Sequence, residues 1–399
     1  MNRFWIIIFY FCIDRSLSGI YYLQHDVIIN QAYTFLGKIV GLFFFLKVLM
    51  DSRKKTVDIS QFVLLGLLSA TMFLPTLIFG GSINRWLQAF YPIMCMIPFI
   101  MYNATSIARF RYFVDTISKL YLAVASINLV LILIFPYMYS ESNDIWGVQT
   151  YFLGGENMVQ HPLMIGLLFN YINRELSNSK RQFVFYILIQ AITTFVIFSG
   201  TSIIGFVICV GSIFLASVAK FINKIRTTTV LAFAAIVFFF VVVLGGTGIF
   251  ESAYLAPILD ILGKDVTLSG RTHVWIVAMM KFMEHPIIGN GFAESVNMFD
   301  VWLTNANGVF GYNTLSAHNE FLQKMVEGGI ASMTVFGLFL YHTAQTIDQL
   351  PEKYAIVFKT TLIAFIVLLM SEAAGLYNIF LVCSMAIIIR YNKSINFNY

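Results

Sequence analysis

Residues 226–247, RTTTVLAFAAIVFFFVVVLGGT, decide the fold class: one arginine is followed by twenty-one residues without a charge. A helix of that length crosses the roughly 30 Å hydrocarbon core of a bilayer. The pattern recurs along the chain. Apolar stretches lie near 4–22, 28–50, 59–79, 85–103, 120–139, 158–173, 183–199, 202–219, 229–247, 327–344, 355–372 and 376–390. The expected architecture is therefore an all-α polytopic membrane protein of about 12 transmembrane helices. Composition agrees. Of 399 residues, 59% are hydrophobic and 11% charged, against roughly 45–50% and about 25% in soluble domains. A dozen spans leave no room for a large soluble domain.

Basic residues set the expected orientation. Clusters such as Arg53, Lys54, Lys55, then Arg109, Arg111, Lys119, then Lys220, Lys224, Arg226 fall on the side of the termini, seventeen Lys/Arg in all. The other side has five: Arg85, Lys264, Arg271, Lys281 and Lys324. By the positive-inside rule both termini are cytoplasmic. Asp14 and Arg15 interrupt the first apolar run and no Ala-x-Ala-like site follows it, so it is expected to remain as a span. Cys12, Cys95, Cys209 and Cys383 all sit in apolar runs without a Cys-x-x-Cys pair, which excludes a disulfide framework and a redox motif. The basic clusters lack the interleaved aromatics that single-stranded nucleic acid needs. Charges within spans are costly. Asp14 is expected to pair with Lys38, with Arg15 either nearby in the same span or turned into a cavity toward a lipid pyrophosphate.

The topology divides the chain into residues 1–247 with nine helices, an outer loop at 248–326, and residues 327–399 with three helices and a cytoplasmic tail. Chemistry is sought in the long outer loop. Within it LSGRTHVWIVAMMKFMEHPIIGNG (268–291) reads as Ser269 capping a helix from Arg271 to Glu284, stopped by His285-Pro286 and a turn containing Gly289 and Gly291. Arg271 in the first turn is either a surface arginine or a phosphate clamp. LSAHNEFLQKMVEGG (315–329) gives Ser316 as N-cap and His318 in the first helical turn, sharing a face with Phe321, Leu322 and Met325. There His318 is either a neutral general base or a buried histidine satisfied by a backbone carbonyl. His273, His285 and Glu284 lack metal-ligand spacing.

The order SGRTHVW, EHPIIGNG, SAHNEFLQKMVEGG in one late outer loop resembles the O-antigen ligase and polymerase superfamily of bacterial surface-polysaccharide assembly. The resemblance implies a GT-C-like glycosyltransferase bundle with a large helical outer loop. It also implies transfer of a glycan from an undecaprenyl pyrophosphate carrier at the outer face of the cytoplasmic membrane, with no metal, other cofactor or nucleotide sugar. Arg271 corresponds to the family's loop arginine and His318 to its catalytic histidine. A second family arginine belongs in the hairpin between the seventh and eighth spans, which here reads FSGTSIIGF (198–206) and has none. Gly200, Thr201 and Ser202, or Arg15, are expected to bind the donor pyrophosphate instead. Trp275, His285, Gly289, Gly291, Asn319 and Asn157 are expected to line the substrate path.

The implied partners are lipid-linked glycan donor and acceptor, membrane lipid and a chain-length regulator, with no nucleic acid. A repeat-unit polymerase is the preferred function, because polymerases vary with their repeat units and tolerate the missing arginine. The alternative is a ligase that moves finished glycan to lipid A-core. A lipid-linked oligosaccharide flippase would share the topology but has no need of a 79-residue loop carrying this Arg and His arrangement.

Overall fold

In hydrocarbon every backbone N–H and C=O must be satisfied within the chain, which favours helices for apolar runs. The computed structural model describes residues 1–14, 17, 27–50, 59–135, 150–245, 271–293, 299–305, 308–314, 316–371 and 376–391. Within these, the first half contains α1 (Arg3–Ile13), α2 (Val27–Met50), α3 (Ile59–Ile78), α4 (Ile83–Asn103) and α5 (Ile107–Ile134). A short strand pair, β1 (Thr150–Tyr151) and β2 (Gly154–Gly155), precedes α6 (Gln160–Ser177), α7 (Lys180–Ile197), α8 (Gly200–Phe214), α9 (Ala216–Lys224) and α10 (Thr227–Gly245). Then come α11 (Arg271–Glu284), β3 (Phe299–Asn305), β4 (Gly308–Thr314), α12 (Glu320–Asp348), α13 (Glu352–Ser371) and α14 (Tyr377–Tyr391).

Each apolar stretch of the sequence overlaps a helix, although the first is described as helix only to Ile13 and the stretch 202–219 is divided between α8 and α9. Among the described residues four helices are long and apolar enough to cross a membrane: Ile28–Lys47, Ile107–Ile134, Lys180–Ile197 and Glu352–Met370. A fifth arises if α8 and α9 form one broken span. Twelve is thus a count of apolar helical stretches, while length and composition support four or five spans. The surface is correspondingly apolar: Phe35, Leu42, Phe195, Phe233 and Phe239 are all exposed. Such a surface suits lipid better than water.

Serine and asparagine start several helices. Asn2, Ser82 and Ser106 accept the backbone N–H of Trp5, Arg85 and Arg109 at the entrances of α1, α4 and α5. The main packing pairs are α2 with α4, α5 with α6, α3 with α12, and α8 with α13.

Two expectations are corrected here. The Asp14–Lys38 ion pair is not formed. Asp14 is fully buried, its carboxylate accepts the Tyr121 hydroxyl, and its carbonyl accepts Tyr33 Oη at 2.6 Å. Tyr121 Oη in turn lies 3.1 Å from Tyr10 Oη. Lys38 instead holds its ammonium 5.8 Å from the Tyr91 ring centroid. A hydroxyl donor reaches a buried carboxylate without the desolvation of a second charge. Arg15 lies outside the described residues.

The outer loop is also not wholly helical. β3 and β4 form an antiparallel hairpin with Phe299 opposite Thr314 and Asn305 opposite Gly308, and β3 runs alongside α11. FDVWLTN and GVFGYNT are rich in β-branched and aromatic residues, which suit a pleated ribbon better than a helix.

Candidate functional site

The helix α11 occupies the span expected of it, with Arg271 as its first residue and half-buried. The expected cap Ser269 lies outside the described residues. Trp275, Ala278 and Phe282 continue the Arg271 face at helical spacing and are buried against Ala317, Leu322 and Val326. The indole N–H of Trp275 is buried and has no hydrogen-bond partner among the described residues.

After α11 the chain HPIIGNGF works as a backbone clasp. The Asn290 N–H donates to Val326 O at 2.7 Å and the Gly291 N–H to Glu327 O at 2.9 Å. In return the Ile330 and Ala331 N–H groups donate to Pro286 O and Ile287 O. Asn290 Nδ2 also donates to Lys281 O, tying the end of α11 to the same point. On the other side, the Ser82 N–H donates to Phe292 O at 2.8 Å and the Phe292 N–H to Thr76 Oγ1 at 3.0 Å, which fastens the α3–α4 hairpin. Gly289 and Gly291 have φ of 77° and 73°, and a Cβ on them would lie 2.4 Å from Gly328 N and 2.5 Å from Thr76. Backbone approach this close leaves room for glycine alone. His285 stacks on Phe79 with centroids 4.1 Å apart.

At His318 the structure corrects the sequence reading. α12 begins at Glu320, and its N-cap is Asn319, whose Oδ1 accepts the Leu322 N–H at 3.0 Å. Asn319 Nδ2 simultaneously donates to Met370 O at 3.0 Å. Ser316 instead accepts the His318 N–H at 3.1 Å. His318 therefore stands outside the helix, half-buried, with φ of 46°. A left-handed non-glycine residue carries strain of roughly 1–2 kcal/mol. The helical-face argument does not extend to it.

The opposite face of α12 is buried. Glu320, Gln323, Lys324 and Glu327 are each less than 10% exposed. Lys324 Nζ lies 2.5 Å from Glu327 Oε2, 3.3 Å from Glu320 Oε1 and 5.3 Å from the Phe292 ring centroid. Gln323 Nε2 donates to Glu327 Oε1 at 2.8 Å, and Gln323 Oε1 accepts the Ala317 N–H at 2.9 Å. Sequence reasoning missed this cluster. The Glu-x-x-x-Lys-x-x-Glu spacing next to an apolar span was the available signal.

The hairpin between α7 and α8 reaches the same end of the bundle. α8 runs antiparallel to α13, since Gly205 faces Leu368 and Cys209 Sγ donates to Thr360 O. Leu368, beside Gly205, lies two residues before Met370, whose carbonyl accepts Asn319 Nδ2. Ser199 Oγ donates to Asn157 Oδ1 at 2.6 Å and Ser202 Oγ to Glu156 O at 3.5 Å, so the Asn157 loop covers the hairpin. Gly200 is exposed at the first turn of α8, where Ser199 makes no side-chain cap. The side chain of Thr201 lies outside the described residues.

The other end of α13 carries charges of both signs, with Asp348 and Glu352 beside three basic residues. Lys359 donates to Ile225 O at 2.6 Å and lies 3.2 Å from Asp348, and Lys224 and Arg226 border the same polar pocket. Eleven residues of helix separate Lys359 from Met370, about 16 Å along the axis. Between these ends an apolar groove of about 370 Å³ runs beside α12, bordered by Leu231, Phe238, Phe321, Phe336, Leu340 and Met370.

These apolar helices and their charge distribution define a helical membrane protein. Residues 185–337 match the family model described as O-Antigen ligase, which supports the O-antigen ligase/polymerase superfamily. The matched segment runs from α7 into α12 and contains the 199–202 hairpin, Arg271 and His318. Family members are glycosyltransferase-like enzymes. No curated protein and no solved structure matches the chain.

Proposed function

We propose that the protein is a polymerase that joins undecaprenyl-pyrophosphate-linked oligosaccharide units at the outer face of the cytoplasmic membrane, with twelve spans and cytoplasmic termini. What supports the reading is the packing of Trp275, one turn after Arg271, on Ala317, the neighbour of His318, together with the hold of Asn319 on Met370. Pyrophosphate is already a good leaving group. The site chiefly needs fixed positive charge at its oxygens and a base for the attacking sugar hydroxyl. In this reading Arg271 and the α8 backbone N–H groups hold the pyrophosphate, and His318 takes the proton of the acceptor hydroxyl. The groove below Phe321 suits the hydrocarbon of a lipid-linked donor.

A ligase reading is favoured by one observation, the description of the matching family. Against it stands the hairpin without arginine. The two are separated in cells: deletion of a polymerase gene leaves surface lipid with a single repeat unit. Loss of all surface glycan with long carrier-linked chains identifies a ligase instead. For the chemistry itself, purified His318→Ala in lipid nanodiscs is expected to elongate lipid-linked units about 100-fold or more slowly. Arg271→Ala is expected to fall by a similar factor through lost stabilisation of the leaving group. Wild-type rates in both variants overturn the assignment.

A further inference from the structure

His318 is one of three non-glycine residues with positive φ among those described, and the other two, Asn178 and Phe198, terminate helices. Left-handed residues are ordinary at helix C-termini. His318 has no such explanation, because it precedes an N-cap. A strained backbone persists only where its surroundings over-determine it.

We infer that Gln323 and Glu327 are positioning residues that hold the left-handed turn of His318 through a hydrogen-bond chain anchored on Lys324. The inference rests on the proposed role of His318. The chain has a fixed polarity. A backbone N–H can only donate, so the Ala317 N–H requires the oxygen of the Gln323 amide. That orientation turns the amide nitrogen toward Glu327, whose carboxylate accepts it. The Lys324 ammonium, donating to the second carboxylate oxygen, keeps Glu327 an acceptor. Reversal of the Gln323 amide leaves two donors face to face at Ala317 and two acceptors at Glu327. The turn is therefore held at Ala317 by Gln323, at the His318 N–H by Ser316, and at Asn319 by Met370 and Leu322. The first two act on the backbone at and before His318, and the last two act on the Asn319 side chain that follows it.

The test uses the full chain in nanodiscs with ¹⁵N-labelled histidine, its His318 signal assigned by loss in His318→Gln. Gln323→Met keeps the length of the side chain and removes both ends of the amide bridge, while the Lys324–Glu327 pair stays intact. Expected are a shifted or broadened His318 signal beside an unchanged His342 signal, and a kcat per folded molecule lower by about tenfold or more with KM for the lipid-linked donor nearly unchanged. Ser316→Ala, which removes the acceptor of the His318 N–H, is expected to move the same signal and serves if Gln323→Met does not accumulate. An unmoved signal and unchanged kcat, with only thermal stability reduced, overturn the inference. A moved signal together with a fully active His318→Ala supports the network and removes the catalytic reading on which it was hung.

Discussion

Gly329→Ala is expected to prevent accumulation of folded protein. Gly329 sits inside α12 with φ of 63° and ψ of −164°, a region that only glycine populates readily. A Cβ there would lie 2.3 Å from Ile287 O and 2.6 Å from Gly289 N. Neither is the end of a flexible side chain, and Ile287 O is itself an acceptor for the Ala331 N–H. Backbone strain and overpacking act together, for a loss of roughly 3–5 kcal/mol. That is a large share of a typical folding free energy of about 5–15 kcal/mol. The control is Gly337→Ala on the same helix, where nothing lies within 4 Å of the added methyl. It is expected to be neutral or stabilising by up to about 1 kcal/mol. Thermal unfolding of the two variants in detergent, followed by size-exclusion chromatography, reads the difference. Equal melting temperatures would mean that the clasp between HPIIGNG and EGG yields at no cost.

The clasp also marks the limit of what local pattern conveys. Runs such as 227–245 declare a helix, because nineteen uncharged residues have few other fates in hydrocarbon. The bounds of α11 are equally legible, since Pro286 has no N–H and Gly289 takes a left-handed turn. The glycines were readable as turns. That Gly289 faces Gly328, or Gly291 faces Thr76, depends on segments that in the second case lie more than two hundred residues apart. The start of α12 failed for a related reason. Ser316 and Asn319 are both good N-caps, and the choice falls to Asn319 because its amide also reaches Met370 O, 51 residues away. Likewise the Glu320–Glu327 face was legible as polar but not as buried, because Phe292 and the α3–α4 hairpin cover it from elsewhere in the chain. Arg271 and His318 were nominated by residue type and order. The packing of Trp275 on the Ala317–Val326 segment, which joins their two elements, was not legible.

Lys324→Met is expected to lower stability by about 3–5 kcal/mol, the usual consequence of removing one partner from a buried ionic group. The Lys324 stem is long and apolar, and methionine can occupy its volume against the Phe292 ring, so a cavity is not the cause. What remains is electrostatic: the Glu320 and Glu327 carboxylates share one ammonium and are both nearly fully buried. With the ammonium gone, two like charges face each other in a medium that hydrates neither. The triple variant Lys324→Met, Glu320→Gln, Glu327→Gln is therefore expected to recover most of the loss, since neutral isosteres remove the desolvation penalty along with the attraction. Chemical unfolding of the single and triple variants in the same detergent checks both halves. If Lys324→Met alone unfolds at the wild-type midpoint, the ammonium does not neutralise this face of α12, and a charge from outside the described residues must do so. If the triple variant stays as unstable as the single one, the ion triad is itself a net source of stability, and buried charge at this end of the bundle serves the fold as well as the His318 turn.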